Sequence, residues 1–389
     1  MSALAGIALL LWLVLLLLPW QPWRCRERLE PAAKGSRPDG RAFTVLIPAR
    51  NEADVIAATL AALVEAAPDN PVIVVDDQST DATASIVRAR STDNVRLLAG
   101  TAPPAGWSGK LWALEQGLQQ VETQHVLLLD ADIRLAPGMA QALLHKARAG
   151  HALVSVLAEP CWQGFWARWL LPAYVYFFKL IYPFALVNKP HGPMAAAAGG
   201  VALVECAALR QSGGFAAWRG ALIDDCAMAR HLQRAGYHGF LGLSHGAISM
   251  RRQNLRAIIT MVARTAFVQL RESWRMLLGV SALMALAYIV PVAVAIGCAG
   301  LARGLGLATW ALLAASYLPV LHYYRFSYWR NPLTALLLPA VAALYLGMTW
   351  FSALRALSGT RSTWKGRHYC LPARKEHARN DNNAKRRRG

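Results

Sequence analysis

The spacing of apolar residues divides this chain into membrane-like and sheet-like stretches. Residues 3–20, ALAGIALLLWLVLLLLPW, carry no charge and are just long enough to cross a bilayer. Arg24, Arg26 and Arg28 follow this run and do not precede it, which favours an uncleaved anchor over residues 1–22 against a cleaved signal peptide. Residues 23–42 form a charged linker containing Pro and Gly. A different rhythm starts at residue 43. FTVLIPARNE (43–52), PVIVVDDQSTD (71–81), NVRLLAG (94–100), VLLLD (126–130) and ALVSVLA (152–158) are short apolar runs of the kind buried in a sheet. Helical spacing lies between them, over 53–66, about 110–122 and 137–149, with Thr80 or Asp81 placed to cap a helix. Strands alternating with helices predict an α/β fold with a doubly wound, mainly parallel, Rossmann-like sheet, which takes ligands beyond the carboxyl ends of its strands.

Residues 161–187 are apolar and aromatic but broken by Arg168, Pro172, Lys179 and Pro183. This pattern predicts an element lying in the membrane interface, with a buried amphipathic helix pair as the alternative. A soluble pattern returns over 188–260, and three apolar segments follow at about 277–300, 306–324 and 333–354. The chain thus divides into an anchor, a linker, a soluble domain over 43–260, membrane segments over 275–355 and a basic tail over 356–389. If domain and tail face the same side, an even number of spans must separate them, so one of the three segments is re-entrant or interfacial, or the tail lies outside.

Composition supports a membrane protein: 55% of residues are hydrophobic and 14 are Trp. The net charge of +19 gathers beside the apolar segments, as in Arg355 to Arg367 and Lys385 to Arg388. That distribution suits the positive-inside rule and an anionic lipid surface, and excludes a nucleic-acid groove of interleaved basic and aromatic residues. Six cysteines at 25, 161, 206, 226, 298 and 370 form no CxxC pair, which excludes a zinc ribbon or a disulfide framework.

Candidate chemistry sits where three apolar runs end in polar clusters: Pro48-Ala49-Arg50-Asn51-Glu52, Asp76-Asp77 and Asp130-Ala131-Asp132. If the strand pleat continues, Asp130 and Asp132 leave on one side, where their mutual repulsion calls for a divalent cation such as one holding a nucleotide diphosphate. The alternative is a surface turn with two solvated acids. Asp224 and Asp225 open a helical pattern, which suits either a general base or a plain helix cap. His191 and His245 are candidate third metal ligands, or hydrogen-bonded structural residues.

These pieces resemble the membrane-bound family-2 glycosyltransferases, whose nucleotide-sugar-binding fold is called GT-A. The resemblance rests on PARNE (48–52), VVDDQSTD (74–81), GKLWAL (109–114), DAD (130–132), the Gly199-Gly200 pair and LIDDCAMARHLQRAG (222–236). The anchor, the C-terminal segments, AGGVALVECAALRQSGGF (198–215) and TWKGRHY (363–369) look most like the hopene-associated branch in bacteria. The resemblance implies an inverting transfer from a cytosolic nucleotide-sugar donor to a membrane lipid, at the bacterial inner membrane, by a multi-pass protein with a cytoplasmic catalytic domain. A processive polysaccharide synthase and a non-catalytic membrane scaffold are the alternatives.

The resemblance also implies roles. Asp77 would hold the nucleotide base, framed by Pro48, Arg50 and Glu52. Lys110 and Asp130 would lie at the nucleotide, with Asp130 and Asp132 holding Mg²⁺ or Mn²⁺. Asp225 would be the base, with Asp224 in place of the family's more usual Glu. The family's QxxRW segment is reduced here to Met261-Val262-Ala263-Arg264-Thr265, which leaves Arg264 for phosphate or acceptor. Trp364 and Arg367 belong to an interfacial belt or to a flap over the donor. The AGG stretch departs from the family's G-x-x-x-x-R pattern.

Overall fold

The computed structural model describes residues 1–33, 41–324 and 332–357, with the backbone of 363–364 and 367–368. Strand β1 (Phe43–Ala49) shows how the sheet is built: Phe43, Val45 and Ile47 pack on one face and Leu46 on the other, all fully buried. Helices Ile56–Ala66 and Met139–Arg148 cover the first face, and Gly109–Leu118 and Asp224–Arg234 cover the second. Glycine is required at one contact, because a Cβ on Gly117 would lie 2.2 Å from Leu46 Cδ1.

The other strands are β2 (Val72–Asp76), β3 (Val95–Ala99), β4 (His125–Leu129), β5 (Ile133–Leu135), β6 (Leu153–Glu159), β7 (Val201–Glu205) and β8 (Gly239–Ser249). They form one eight-stranded sheet in the order β3-β2-β1-β4-β7-β6-β8-β5. The half made of β3, β2, β1 and β4 is parallel, as the βα alternation predicts. The other half is mixed: β7 runs antiparallel to both β4 and β6, and β5 antiparallel to β8. Because β6 and β8 are parallel, β1, β4 and β8 all present their carboxyl ends at the same edge.

The described part of the linker is no loose tether. Leu29 N–H donates to the Leu243 carbonyl and Leu243 N–H to the Glu27 carbonyl, both at 2.9 Å, so this stretch lies along β8. The 161–187 stretch, expected at the membrane interface, folds as helices Phe165–Ile181 and Phe184–Val187 and is mostly enclosed. Only Phe165, Arg168 and Ile181 of the longer helix are exposed. Its Tyr176 hydroxyl lies 2.7 Å from Ser316 Oγ, and the Tyr345 hydroxyl donates to the Leu170 carbonyl at 2.9 Å. Those bonds tie it to the C-terminal helices, which is the buried arrangement of the two readings above.

Trp274–Gly297, Gly300–Tyr323 and Leu333–Leu357 are long and apolar enough to cross a membrane, at 24, 24 and 25 residues. Length therefore singles out none of them as the one that fails to cross. The N-terminal helix, Ser2–Leu17, has 16 residues, fewer than the ~20 of an independent span. It turns Ala5, Ala8 and Trp12 inward and leaves Leu4, Ile7, Leu10 and Val14 outside. Trp12 also answers a backbone defect. Pro291 has no N–H for the carbonyl four residues back, and Trp12 Nε1 donates to that Ala287 oxygen at 2.8 Å. Trp12→Phe keeps the ring but orphans the carbonyl, so it is expected to cost about 1 kcal/mol, seen as a lower melting temperature of the detergent-solubilised protein.

Candidate active site

The edge where β1, β4 and β8 end opens into a cleft of about 630 Å³. β1 delivers Pro48 and, in the following turn, Glu52; the segment after β4 delivers Asp130 and Asp132; the segment after β8 delivers Arg251. Lys110 comes from the first turn of the Gly109–Leu118 helix, which Ser108 caps by accepting the Leu111 N–H at 3.3 Å. Asp224 opens the Asp224–Arg234 helix and completes the floor.

The reason given for Asp130 and Asp132 needs correcting. They are not a continuation of the β4 pleat. Ile133 N–H donates to the Asp130 carbonyl at 3.1 Å, so the chain turns at once into β5. The turn still brings both carboxylates into the cleft, and neither is simply solvated. Lys110 Nζ lies 2.9 Å from Asp130 Oδ1 and 3.3 Å from Asp224 Oδ2. Arg251 Nη2 donates to both oxygens of Glu52 at 2.8 Å, and its Nε lies 3.4 Å from Asp132 Oδ2, which also accepts the Ser249 hydroxyl at 2.8 Å.

Burial raises the Asp130 carboxyl above its usual range and Asp132 adds to this, while Lys110 pulls the other way. For Lys110 burial works against the charge, yet Asp130 and Asp224 hold the ammonium well above its usual range. Asp225 is the most perturbed carboxyl: burial first, then the Asp224 carboxylate, push it up to about 7 against the Cys226 N–H and Lys110. Its Oδ1 accepts that N–H at 2.7 Å, and its Oδ2 faces Gly199, where a Cβ would lie 3.2 Å from the oxygen and 3.7 Å from Lys110 Nζ. Asp225 thus caps its own helix with one oxygen and keeps the other for a small side pocket shared with Lys110, Asp130, Gly199 and Asp224. Ser155 fixes this stretch from beneath, accepting the Ala198 N–H at 2.9 Å.

The remaining candidates are dispersed. Arg50 donates to the carbonyls of Asp77 and Gln78, joining the turns after β1 and β2. Asp77 is buried beside that junction and does not line the cleft. Arg264 does line it, on the Leu255–Gln269 helix. The side chains of Trp364 and Arg367 lie outside the described residues, as does the tail from Lys385 to Arg388. The histidines are not metal ligands in this cleft. His245 Nδ1 lies 2.6 Å from Glu159 Oε2 and its ring stacks on Tyr323 at 4.3 Å, while His191 packs edge-on against His238 at 4.5 Å. Sequence reasoning missed Arg251, Ser249 and Arg256. The available signal was the polar MRRQN run after β8, a fourth strand ending like the other three.

Lys110→Met would leave Asp130 and Asp224 without their shared cation. A fifth to a third of these side chains reaches solvent, so the expected cost is about 1–2 kcal/mol, below that of a fully buried pair. The loss should shrink as the pH is lowered, because the burial that raises the Asp130 carboxyl favours its neutral form, which needs no cation; thermal melts over a pH series check it.

Residues 44–213 match the family described as Glycosyl transferase family 2. The 4,4'-diaponeurosporenoate glycosyltransferase of Staphylococcus aureus (strain USA300) is 34% identical over 107 residues, covering 28% of this chain and 28% of that protein. Its counterpart in strain MRSA252 is 32% identical over 121 residues, 31% of this chain and 32% of that one. The match therefore spans about a third or less of these relatives' length. Among solved structures, the mannosyltransferase PcManGT from Pyrobaculum calidifontis, in complex with GDP-Man and Mn²⁺, is similar with a TM-score of 0.57 at 20% identity. That likeness, one of fold, covers 91% of this chain and 98% of that one. The chain is thus similar to the Glycosyl transferase family 2 model over residues 44–213 and has the GT-A fold.

Proposed function

We propose that this protein transfers a sugar from a nucleotide-sugar donor to the hydroxyl of a membrane lipid, with inversion, on the cytoplasmic face of the bacterial inner membrane. One observation carries the reading: the acid-and-base cleft shares a wall with the membrane helices. The Leu255–Gln269 helix turns Arg256, Thr260, Met261 and Arg264 to the cleft. It buries Ile258, Val262 and Phe267 on its other side, where Phe267 N–H donates to Ser352 Oγ of Leu333–Leu357 at 3.1 Å. A soluble donor and an insoluble acceptor can meet only at such a junction. The staphylococcal relatives are named for 4,4'-diaponeurosporenoate, and the resemblance to hopene-associated enzymes favours a hopanoid-related lipid.

Asp130 and Asp132 suit Mg²⁺ or Mn²⁺ by their chemistry: two hard carboxylates, each keeping one oxygen clear of its cation partner. They are not a complete cage, since no group of three or more His, Cys, Asp or Glu is placed to hold a metal among the described residues. The ion would therefore need diphosphate oxygens as well, and when bound it would supply positive charge where the leaving group becomes negative. The protein does the rest. Arg256 and Arg264 line the cleft in reach of phosphate oxygens. Asp77, Arg50 and Glu52 form the junction beside which the base would rest. Asp225 takes the proton of the acceptor hydroxyl as its oxygen bonds to the anomeric carbon and the carbon–phosphate-oxygen bond breaks, its electron pair leaving with the diphosphate.

Asp132→Asn is expected to lower donor binding and turnover together, with partial rescue by excess Mn²⁺. Asp225→Asn is expected to spare nucleotide binding and cut turnover by ~10²–10⁴-fold; calorimetry with nucleoside diphosphate and steady-state rates separate the two. If Asp225→Asn abolished nucleotide binding and Asp132→Asn did not, the roles would be reversed. Because the Asp225 carboxyl titrates at about 7, it is protonated and idle as a base below that pH. Turnover should rise with pH through about 7, and Asp225→Asn should lose that limb. Mass spectrometry of total lipid from cells with and without the gene tests the function as a whole, since loss of a glycolipid identifies sugar and acceptor together.

A further inference from the structure

Arg251 occupies a place that the proposed chemistry leaves unassigned. It bridges the turn after β1 to the turn after β4: its Nη2 is held by both Glu52 oxygens at 2.8 Å, and its Nε reaches Asp132 Oδ2 at 3.4 Å. Glu52 and Asp132 are largely buried while Arg251 is 39% exposed, so the acids are fixed and the guanidinium is the member with room to move. Ser249 is two residues back on the same strand end and donates to the same Asp132 oxygen at 2.8 Å, so the carboxylate keeps a hydrogen bond if the guanidinium leaves.

We propose that Arg251 is a positioning residue acting as an internal counter-ion: it holds Asp132 while the cleft is empty, competes there with a divalent cation, and moves to the diphosphate when metal and donor arrive together. This rests on the metal-and-diphosphate reading of the cleft. Two charges of one sign cannot share a single carboxylate without loss, so a dication arriving alone at Asp132 meets Arg251 as a repulsive neighbour. A dication arriving with a diphosphate brings the anion that Arg251 then needs, and a guanidinium pairs well with phosphate oxygens. Metal and nucleotide consequently bind synergistically, each raising the other's affinity by the same factor. The cleft binds the metal–nucleotide complex more tightly than it binds either component alone.

The test uses the full-length protein in detergent, with Mn²⁺ followed by electron paramagnetic resonance of the free ion and UDP and GDP by calorimetry, without turnover. In the wild type, saturating diphosphate should tighten Mn²⁺ binding by at least ~10-fold, within the usual range of coupling between sites. Arg251→Met should bind Mn²⁺ alone more tightly than the wild type, bind the diphosphate more weakly in the presence of Mn²⁺, and lose most of the synergy. Arg251→Lys, which keeps a charge but not the fork that grips Glu52, should lie between the two, and guards against a misfolded Met variant. If Arg251→Met weakens Mn²⁺ alone while Arg251→Lys restores it, Arg251 merely props up Asp132 and the proposal is wrong. If the wild type binds no Mn²⁺ with either diphosphate, the metal reading falls, and this inference with it.

Discussion

Four carboxylates converge on one cleft, and the site exists because two cations are distributed among them. Glu52, Asp130, Asp132 and Asp224 arrive from two turns and a helix start that are remote from one another in sequence. Left alone they would repel one another and protonate, as the upward push on Asp130 from Asp132 already shows. Lys110 takes Asp130 and Asp224, and Arg251 takes Glu52 and Asp132. Each cation is shared by two acids from different elements, so the pairs act as cross-links as well as neutralisers. Two cations against four acids leave the set short of positive charge, and the exposed member, Arg251, is the one with room to move. A deeply buried set would be worth more to keep and cost more to rearrange.

The long apolar C-terminal helices are packed against the domain that carries the cleft. Tyr176, Tyr345 and Ser352 all hydrogen-bond across the boundary between the catalytic domain and the C-terminal helices. The Phe165–Ile181 helix that links them is buried on nearly every side, even around Lys179, which pairs with Glu27 at 3.4 Å and lies over the Phe184 ring at 3.9 Å. Buried ion pairs of this kind resist rearrangement because losing one partner strands the other in an apolar setting. The domain is therefore packed onto the C-terminal helices, and the cleft wall formed by Leu255–Gln269 is hydrogen-bonded to one of them.

Much of this was legible in sequence, and the exceptions share a cause. β1, β2 and β4 are dense apolar runs that end in acids, and both facts are local, so strand and site residues could be read together. The C-terminal helices declare themselves by length alone. β8 could not be read this way: Gly239, Gly242, Gly246, Ser244 and His245 dilute its apolar pattern, and it is held by pairing with β6 and with the linker. Missing β8 meant missing Arg251. β5 has three residues, too few for any periodicity. The 161–187 stretch has interface composition because it touches membrane helices, and composition does not say whether the apolar neighbour is lipid or protein. The direction of β7 depends on where the 188–200 segment carries the chain, which no local pattern encodes.

The two acids that open the Asp224–Arg234 helix show how little residue type decides. Successive residues on a helix point about 100° apart, so neighbours in sequence enter different surroundings. Asp224 faces Lys110 and the open cleft, and it is an ion-pair partner. Asp225 turns inward toward Gly199, spends one oxygen on the Cys226 N–H, and has no cation of its own within ion-pair distance among the described residues. The helix N-terminus favours negative charge at both positions, yet burial and the Asp224 carboxylate overcome that preference at Asp225 and leave it titrating near neutrality. A longer Glu at 224 would still reach Lys110, so the departure from the family's usual residue falls on the acid that pairs and leaves untouched the one suited to move a proton. Gly199 is what makes that second position possible, since any side chain there would press on the free oxygen of Asp225.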